Sequence, residues 1–202
     1  MMLHHNPKKA CLAISFESVS FFDLEYYLKK ENLALERISP DDFLKSGCNN
    51  KYQVINLTIK DMTLRRQVSE AIDAYGLERF SYVHPAACVE TDQVSPGTLI
   101  HPMTTLMRGA VSGVDVIYFS YAGIAHNVQV GRGCMINAYA MIAGTSQVGD
   151  YCTIHSRATV YDKVSICSDV VVAAESIVRK NITDPGVYAT VRSGVFKKIN
   201  SL

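Results

Sequence analysis

The sequence predicts two unlike halves: a small α/β domain of order βαββαβ, followed by a parallel β-helix wound from six-residue units. Three observations carry this. Ile124, Val130, Ile136, Ile142, Val148, Ile154, Val160, Ile166, Val172 and Val178 recur at a strict six-residue period, which neither an α-helix nor an ordinary sheet requires. Two residues before each stands a small or β-branched side chain, from Ala122, Val128 and Cys134 through to Ser176. Residues 1 to about 83 lack this lattice and instead alternate strand-like and helix-like segments.

Ala10 to Phe16 is a short apolar run of the kind found in buried parallel strands. From Ser20 to Asn32, Phe21, Phe22, Leu24, Tyr27 and Leu28 fall near helical spacing, with Ser20 as a candidate cap. Leu33 to Ile38 and Gln53 to Leu57 read as two further strands. Asp61 to Tyr75 reads as a second amphipathic helix, capped by Asp61 and ended by Gly76. Phe80 to Val83 is a candidate last strand before His84-Pro85. This order points to a mostly parallel sheet of the mononucleotide-binding type. The turn after the first strand, Ser15-Phe-Glu-Ser-Val19, has no glycine to let a phosphate approach, and Glu17 would repel one. A role in oligomer packing, or an altered substrate, is therefore the alternative for this domain.

In the second half, two inward side chains separated by an outward one describe a short strand, because strand side chains alternate faces. Each hexapeptide is one strand plus one corner, and three close a triangular turn, so residues 18 apart stack in adjacent coils. Gly113, Gly131, Gly149 and Asn137 directly follow lattice positions, where a corner would call for permissive backbone. The phase extends back to Leu106, Ile100 and Val94 but meets Ser112 and Tyr118, which suggests a loop inserted into or bulging from the framework between residues 107 and 121.

A chain of 202 residues holds one large or two small domains. A net charge of +1 with 19% charged residues predicts no special affinity for nucleic acid or anionic membranes. No apolar run approaches the roughly 20 residues of a bilayer span, and Met1 to Ala10 lacks a signal segment. A soluble cytoplasmic enzyme or binding protein is expected. Six cysteines occur without a CxxC pair. Cys134 and Cys152 fall on the inward column of neighbouring coils and read as space-filling reduced thiols.

The two halves together resemble the bacterial sugar acetyltransferases of the left-handed β-helix superfamily, of the sialic acid O-acetyltransferase and nucleotide-amino-sugar N-acetyltransferase type. The resemblance rests on Asp61-Met-Thr-Leu-Arg-Arg66, on Val83-His84-Pro85, on the lattice, and on Val116 to Gly131. It implies a Rossmann-like substrate domain over 1–83 and a left-handed β-helix over 84–202. It also implies acetyl-CoA as co-substrate, direct transfer to a sugar hydroxyl or amine, a homotrimer, and no metal. His126 matches the family's general base, and Gly144, one full turn of the coil further on, matches the backbone donor to the thioester carbonyl. Such a donor is worth several kcal/mol as charge builds on that oxygen, and an imidazole can take a proton near neutral pH. Asn127 stands where the family has an acid that orients the ring, and Met135 where some relatives carry a second histidine near the acetyl group. Ala143, Arg179 and Arg192, with Lys180, are the matching candidates for contact with CoA, and Asp184 to Gly194 resembles the family's closing tail.

Some hexapeptide β-helices bind zinc through three converging imidazoles. His101 and His155 stand three whole turns apart along one column, too far to share an ion. The reading from another class is a non-catalytic CoA-binding, sugar-binding or scaffold protein, favoured by Asn127 and the Gly-free first turn.

Overall fold

A computed structural model describes residues 10–15, 22–30, 32–59, 61–191 and 194–200. The chain divides into two compact units, Met1–Ser81 and Tyr82–Leu202.

The first unit is built on three parallel strands, β1 (Ala10–Ile14), β2 (Leu35–Ile38) and β3 (Tyr52–Asn56), in the spatial order β2-β1-β3. Helix α1 (Phe22–Lys30) joins the first two strands, α2 (Pro40–Ser46) the next two, and α3 (Met62–Ala74) follows β3. The sequence reading missed α2. Its start is written in Ser39-Pro40: the serine side chain accepts from the Asp42 N–H at 3.1 Å, and proline occupies the first turn, where no donor is lost. Asp61 caps α3 through the Leu64 N–H at 3.0 Å, as expected. Leu12, Ile14, Phe43, Val54, Val68 and Ile72 close one core between sheet and helices. Ser20 and residues 16–19 of the first turn lie outside the described residues.

The second unit is a left-handed parallel β-helix. Its first face stacks Thr105–Leu106, Gly123–Ile124, Met141–Ile142, Thr159–Val160 and Ile177–Val178. The second stacks Val111–Ser112, Gln129–Val130, Gln147–Val148 and Ser165–Ile166. The third stacks Leu99–Ile100, Ile117–Tyr118, Met135–Ile136, Thr153–Ile154 and Val170–Val172. Strands pair with their equivalents one coil before and one coil after, as Ile124 does with Leu106 and Ile142. The lattice aliphatics and the smaller inward column, Cys134 and Cys152 included, form one continuous core. Each fully buried aliphatic contributes about 1.5–3 kcal/mol.

Three expectations are corrected. The expected strand Phe80 to Val83 is split between the two units: its start pairs with β3 through a single parallel bridge, Val54 with Arg79, where the Phe80 N–H donates to Val54 O at 2.8 Å, whereas Tyr82–Val83 pairs with Leu99–Ile100, so the β-helix begins earlier and the regular elements of the first unit run βαβαβα. No loop interrupts residues 107–121. Tyr118 points into the core, fully buried, while Ser112 supplies the compensating small side chain; the tyrosine hydroxyl lies near Ser112 without a hydrogen bond of good geometry. The left-handed backbone, finally, falls three residues after each lattice position, at every sixth residue from Gly97 to Glu175. Gly113, Gly131 and Gly149 do not have it. They are needed because a Cβ at Gly131 would come within 2.7 Å of the Gly149 backbone, and one at Gly149 within 2.5 Å of the Ser168 nitrogen.

After the last coil, Gly186–Thr190 continues the third face and pairs antiparallel with Phe196–Ile199. Tyr188 and Phe196 stack at 5.7 Å and pack against the core end. The tail thus closes the open end of the coil, where unpaired strand edges would otherwise meet water.

Candidate active site

The corner between the first and second faces places Arg108, His126, Gly144, Asp162 and Lys180 at equivalent positions of successive coils, two residues past a lattice aliphatic. The backbone ladder Asn127 N–H to Arg108 O (3.2 Å), Thr145 N–H to His126 O (2.9 Å) and Lys163 N–H to Gly144 O (3.0 Å) fixes that register. One strand spacing, about 4.8 Å, separates neighbours in the column. Asn127, at φ 57, and Thr145, at φ 61, turn the chain onto the second face, which leaves the preceding residue projecting outward.

His126 is exposed, and its imidazole lies directly over Gly144. A Cβ on Gly144 would stand 2.6 Å from both Cε1 and Nε2 of the ring, so any other residue would displace the imidazole or block its approach. The Gly144 residue is buried, yet its N–H donates to no protein group among the described residues. A fixed donor beneath a ring nitrogen is an arrangement able to receive a carbonyl oxygen while the imidazole takes a proton from the attacking group.

Asn127 is less closely engaged. Its Nδ2 is 3.5 Å from His126 Nδ1, and its Oδ1 hangs over Gly109, where any Cβ would collide with it. In this orientation Nδ1 is the acceptor and the proton sits on Nε2. Flipping the amide end for end presents Oδ1 to an Nδ1–H and leaves Nε2 free as a base. A carboxylate would enforce that second tautomer; an amide permits both.

Ala125 and Ala143 sit on the first-face side of the same corner, in a column bounded by exposed Met107 on one side and exposed Tyr161 on the other. The Arg179 guanidinium lies 5.1 Å from the Tyr161 ring centre, three coils above Ala125. The structure therefore brings His126, Asn127, Gly144 and Ala143 together and aligns Arg179 with them along the coil. It does not bring Met135, which is on the third face, opposite this corner, and only 6% exposed. Arg192 lies outside the described residues. Arg108, directly below His126, was missed by the sequence reading, although the one-turn spacing marks it as clearly as it marks Gly144.

His101 packs on Phe119 at 5.1 Å and His155 accepts or donates with Asn137 at 3.0 Å, so the column between them is filled by other side chains. No cluster of metal-ligating side chains occurs among the described residues, and no described helix is long and apolar enough to cross a membrane. A groove of about 680 Å³ runs along the second face between Gln129, Gln147 and the Gly131–Gly149 column; His126 is not part of it.

No protein-family model matches the chain. Over 104 residues it is 31% identical to a GDP-perosamine N-acetyltransferase of Escherichia coli O157:H7, covering 51% of this chain and 46% of that protein. Over 91 residues it is 40% identical to a UDP-3-O-acylglucosamine N-acyltransferase of Pseudoalteromonas translucida (strain TAC 125), covering 43% and 27%. The matches thus span less than half the length of either relative. The fold is shared more widely. The acetyltransferase domain of PglB from Neisseria gonorrhoeae FA1090 superposes with a TM-score of 0.81 at 17% identity, over 95% of this chain and all of that one. PerB from Caulobacter crescentus, solved with CoA and GDP-perosamine, superposes with a TM-score of 0.77 at 16% identity, over 98% and 99%.

Proposed function

We propose that this hexapeptide-repeat left-handed β-helix protein is an acetyl-CoA-dependent sugar acetyltransferase acting by direct transfer to a hydroxyl or amine. The observation that carries the reading is the exposed His126 ring lying over a buried Gly144 whose N–H has no protein acceptor among the described residues. The acceptor oxygen or nitrogen attacks the thioester carbon as His126 Nε2 takes its proton. The Gly144 N–H steadies the oxyanion. When the carbon–sulfur bond breaks, the CoA thiolate leaves and recovers a proton from the imidazolium. With its amide turned end for end, Asn127 holds the ring through its oxygen, accepting from an Nδ1–H. No covalent acyl-enzyme is needed.

The donor lies along the corner, its thin pantetheine arm crossing Ala125 and Ala143 and its phosphates toward Arg179 and Lys180. Two curated relatives named as sugar N-acyl- or N-acetyltransferases, and two similarly folded proteins described with acetyl-CoA or with CoA and GDP-perosamine, support both the donor and a nucleotide-linked amino sugar as acceptor. In this reading the first unit is a Rossmann-like acceptor-binding domain in a cytoplasmic enzyme. The protein works as a homotrimer: exposed Met103, Met107, Tyr121, Tyr139 and Met141 gather on the first face and its adjoining corner, a surface suited to a second copy.

The test is release of CoA thiol from acetyl-CoA in the presence of sialic acids, free amino sugars and nucleotide-linked amino sugars. Turnover is expected with at least one acceptor class and not with acetyl-CoA alone. CoA binding without turnover for any acceptor would reject the enzyme in favour of a binding protein.

A further inference from the structure

We propose that Arg108 is the acceptor-anchoring residue, pairing with a carboxylate or phosphate that the acceptor carries beside its reacting hydroxyl or amine. The inference rests on the acetyl-transfer reading of His126 and Gly144 and adds what that reading leaves open, the charge of the acceptor. Along the corner column the reacting pair is flanked on one side by Arg108 and on the other by Asp162 and then Lys180. The donor occupies the Gly144 side, because the thioester carbonyl must meet that N–H, and its neutral arm can pass Asp162. An anionic acceptor is repelled from that side by the same carboxylate. The Arg108 side remains, one strand spacing from the imidazole.

Arg108 is suited to the task. Its side chain is exposed, and no carboxylate among the described residues pairs with it, whereas Arg79, Arg37 and Arg157 each hold an acid. Its own carbonyl is tied to the Asn127 N–H, so the residue starts from a fixed point of the coil. Beside it Gly109 leaves open the space into which the Asn127 amide leans, so that amide and the backbone from which the Arg108 side chain starts share one flank of the imidazole. A planar guanidinium binds carboxylate and phosphate alike, through two parallel hydrogen bonds.

Two acceptor pairs separate the possible sources of the anion: N-acetylneuraminic acid against its methyl ester, and GDP-perosamine against free perosamine. Initial rates are measured for wild type, Arg108→Ala and Arg108→Lys, and the four probes are also titrated calorimetrically without acetyl-CoA. For the pair that is used, Arg108→Ala is expected to raise KM of the anionic member about 10- to 100-fold, with KM for acetyl-CoA and for the neutral member unchanged and partial recovery in Arg108→Lys. Response of the first pair identifies a carboxylate, of the second a diphosphate. If wild type binds an anionic probe in an Arg108-dependent way but cleaves no thioester, the anion site stands and the transferase reading fails. An Arg108→Ala protein that binds and uses the anionic probes like wild type, equal losses for charged and neutral members, or no binding of either anionic probe to wild type would overturn the proposal.

Discussion

Two corners of the same prism obey the same register and do opposite things with it. Between the second and third faces, two of the residues two past the lattice have their backbone donors closed off by the coil above: the Arg132 N–H meets Asp150 Oδ1 at 2.8 Å, and the Asp150 N–H meets Ser168 Oγ at 2.9 Å. Between the first and second faces, Asp162 stands above Gly144 as Asp150 stands above Arg132, yet the Gly144 N–H is left without an acceptor among the described residues and an imidazole covers it instead. Glycines serve both corners. Gly131 and Gly149 are required by neighbouring backbone, Gly144 by a side chain. An open corner donor is not by itself distinctive, since the Arg108, His126 and Asp162 N–H groups also meet no acceptor among the described residues; Gly144 is set apart by the imidazole lying over it.

The comparison breaks first at His126. Its replacement by Ala should lower kcat by about 10² to 10⁴ with little change in KM for acetyl-CoA, as expected for a lost general base. Steady-state rates on the acceptor found by thiol release check this, and unchanged kcat would remove the imidazole from the mechanism. Paired glycine variants sharpen the contrast. Gly144→Ala pushes a methyl into the imidazole and should cost about 10²-fold in kcat while the melting temperature holds. Gly149→Ala pushes the same methyl into the Ser168 backbone nitrogen and should cost about 2–4 kcal/mol of stability, read by denaturant midpoint, with kcat of the folded protein retained. If the two variants failed in the same way, the corners would not be distinct. A smaller gain is expected from Asn127→Asp. Aspartate tolerates the left-handed backbone there, selects the Nδ1–H tautomer and stabilises the imidazolium, so kcat should rise about 10-fold.

How much of this was legible follows from what each feature demands of a side chain. Inward positions must be apolar and sized to the prism, so the lattice, the coil and the one-turn pairing of His126 with Gly144 could be read directly. The left-handed column could not. It is filled by Met103, Asp115, Tyr121, Arg157 and Lys163 among others, because stacking imposes the conformation whatever the residue. The corner glycines were noticed for backbone freedom when their real constraint is the distance to the next coil, which no single hexapeptide reveals. In the first unit, α2 was missed although Ser39-Pro40 announces it, since a helix of seven residues carries too few turns for periodicity. The lean of Asn127 over Gly109 and the isolation of Met135 depend on side-chain direction and face assignment, not on residue type.

Ser112 and Tyr118 offer the finest test of the frame, because they are where the lattice looks broken and is not. Burial pushes the Tyr118 phenol well above its ordinary ionisation range, so it stays neutral at any working pH. Its hydroxyl is buried without a well-formed hydrogen bond, which is a cost, while its ring fills the volume that a smaller lattice residue would leave. Removing only the hydroxyl keeps the filling and relieves the cost. Tyr118→Phe should therefore leave stability unchanged or raise it by up to about 1 kcal/mol, whereas Tyr118→Val restores the lattice consensus but opens a cavity and should lose about 2 kcal/mol or more. Denaturant midpoints for the two proteins decide it. A consensus valine that proved stabilising would mean that the prism sets its own width coil by coil, and that Ser112 is an accident and not the partner of Tyr118.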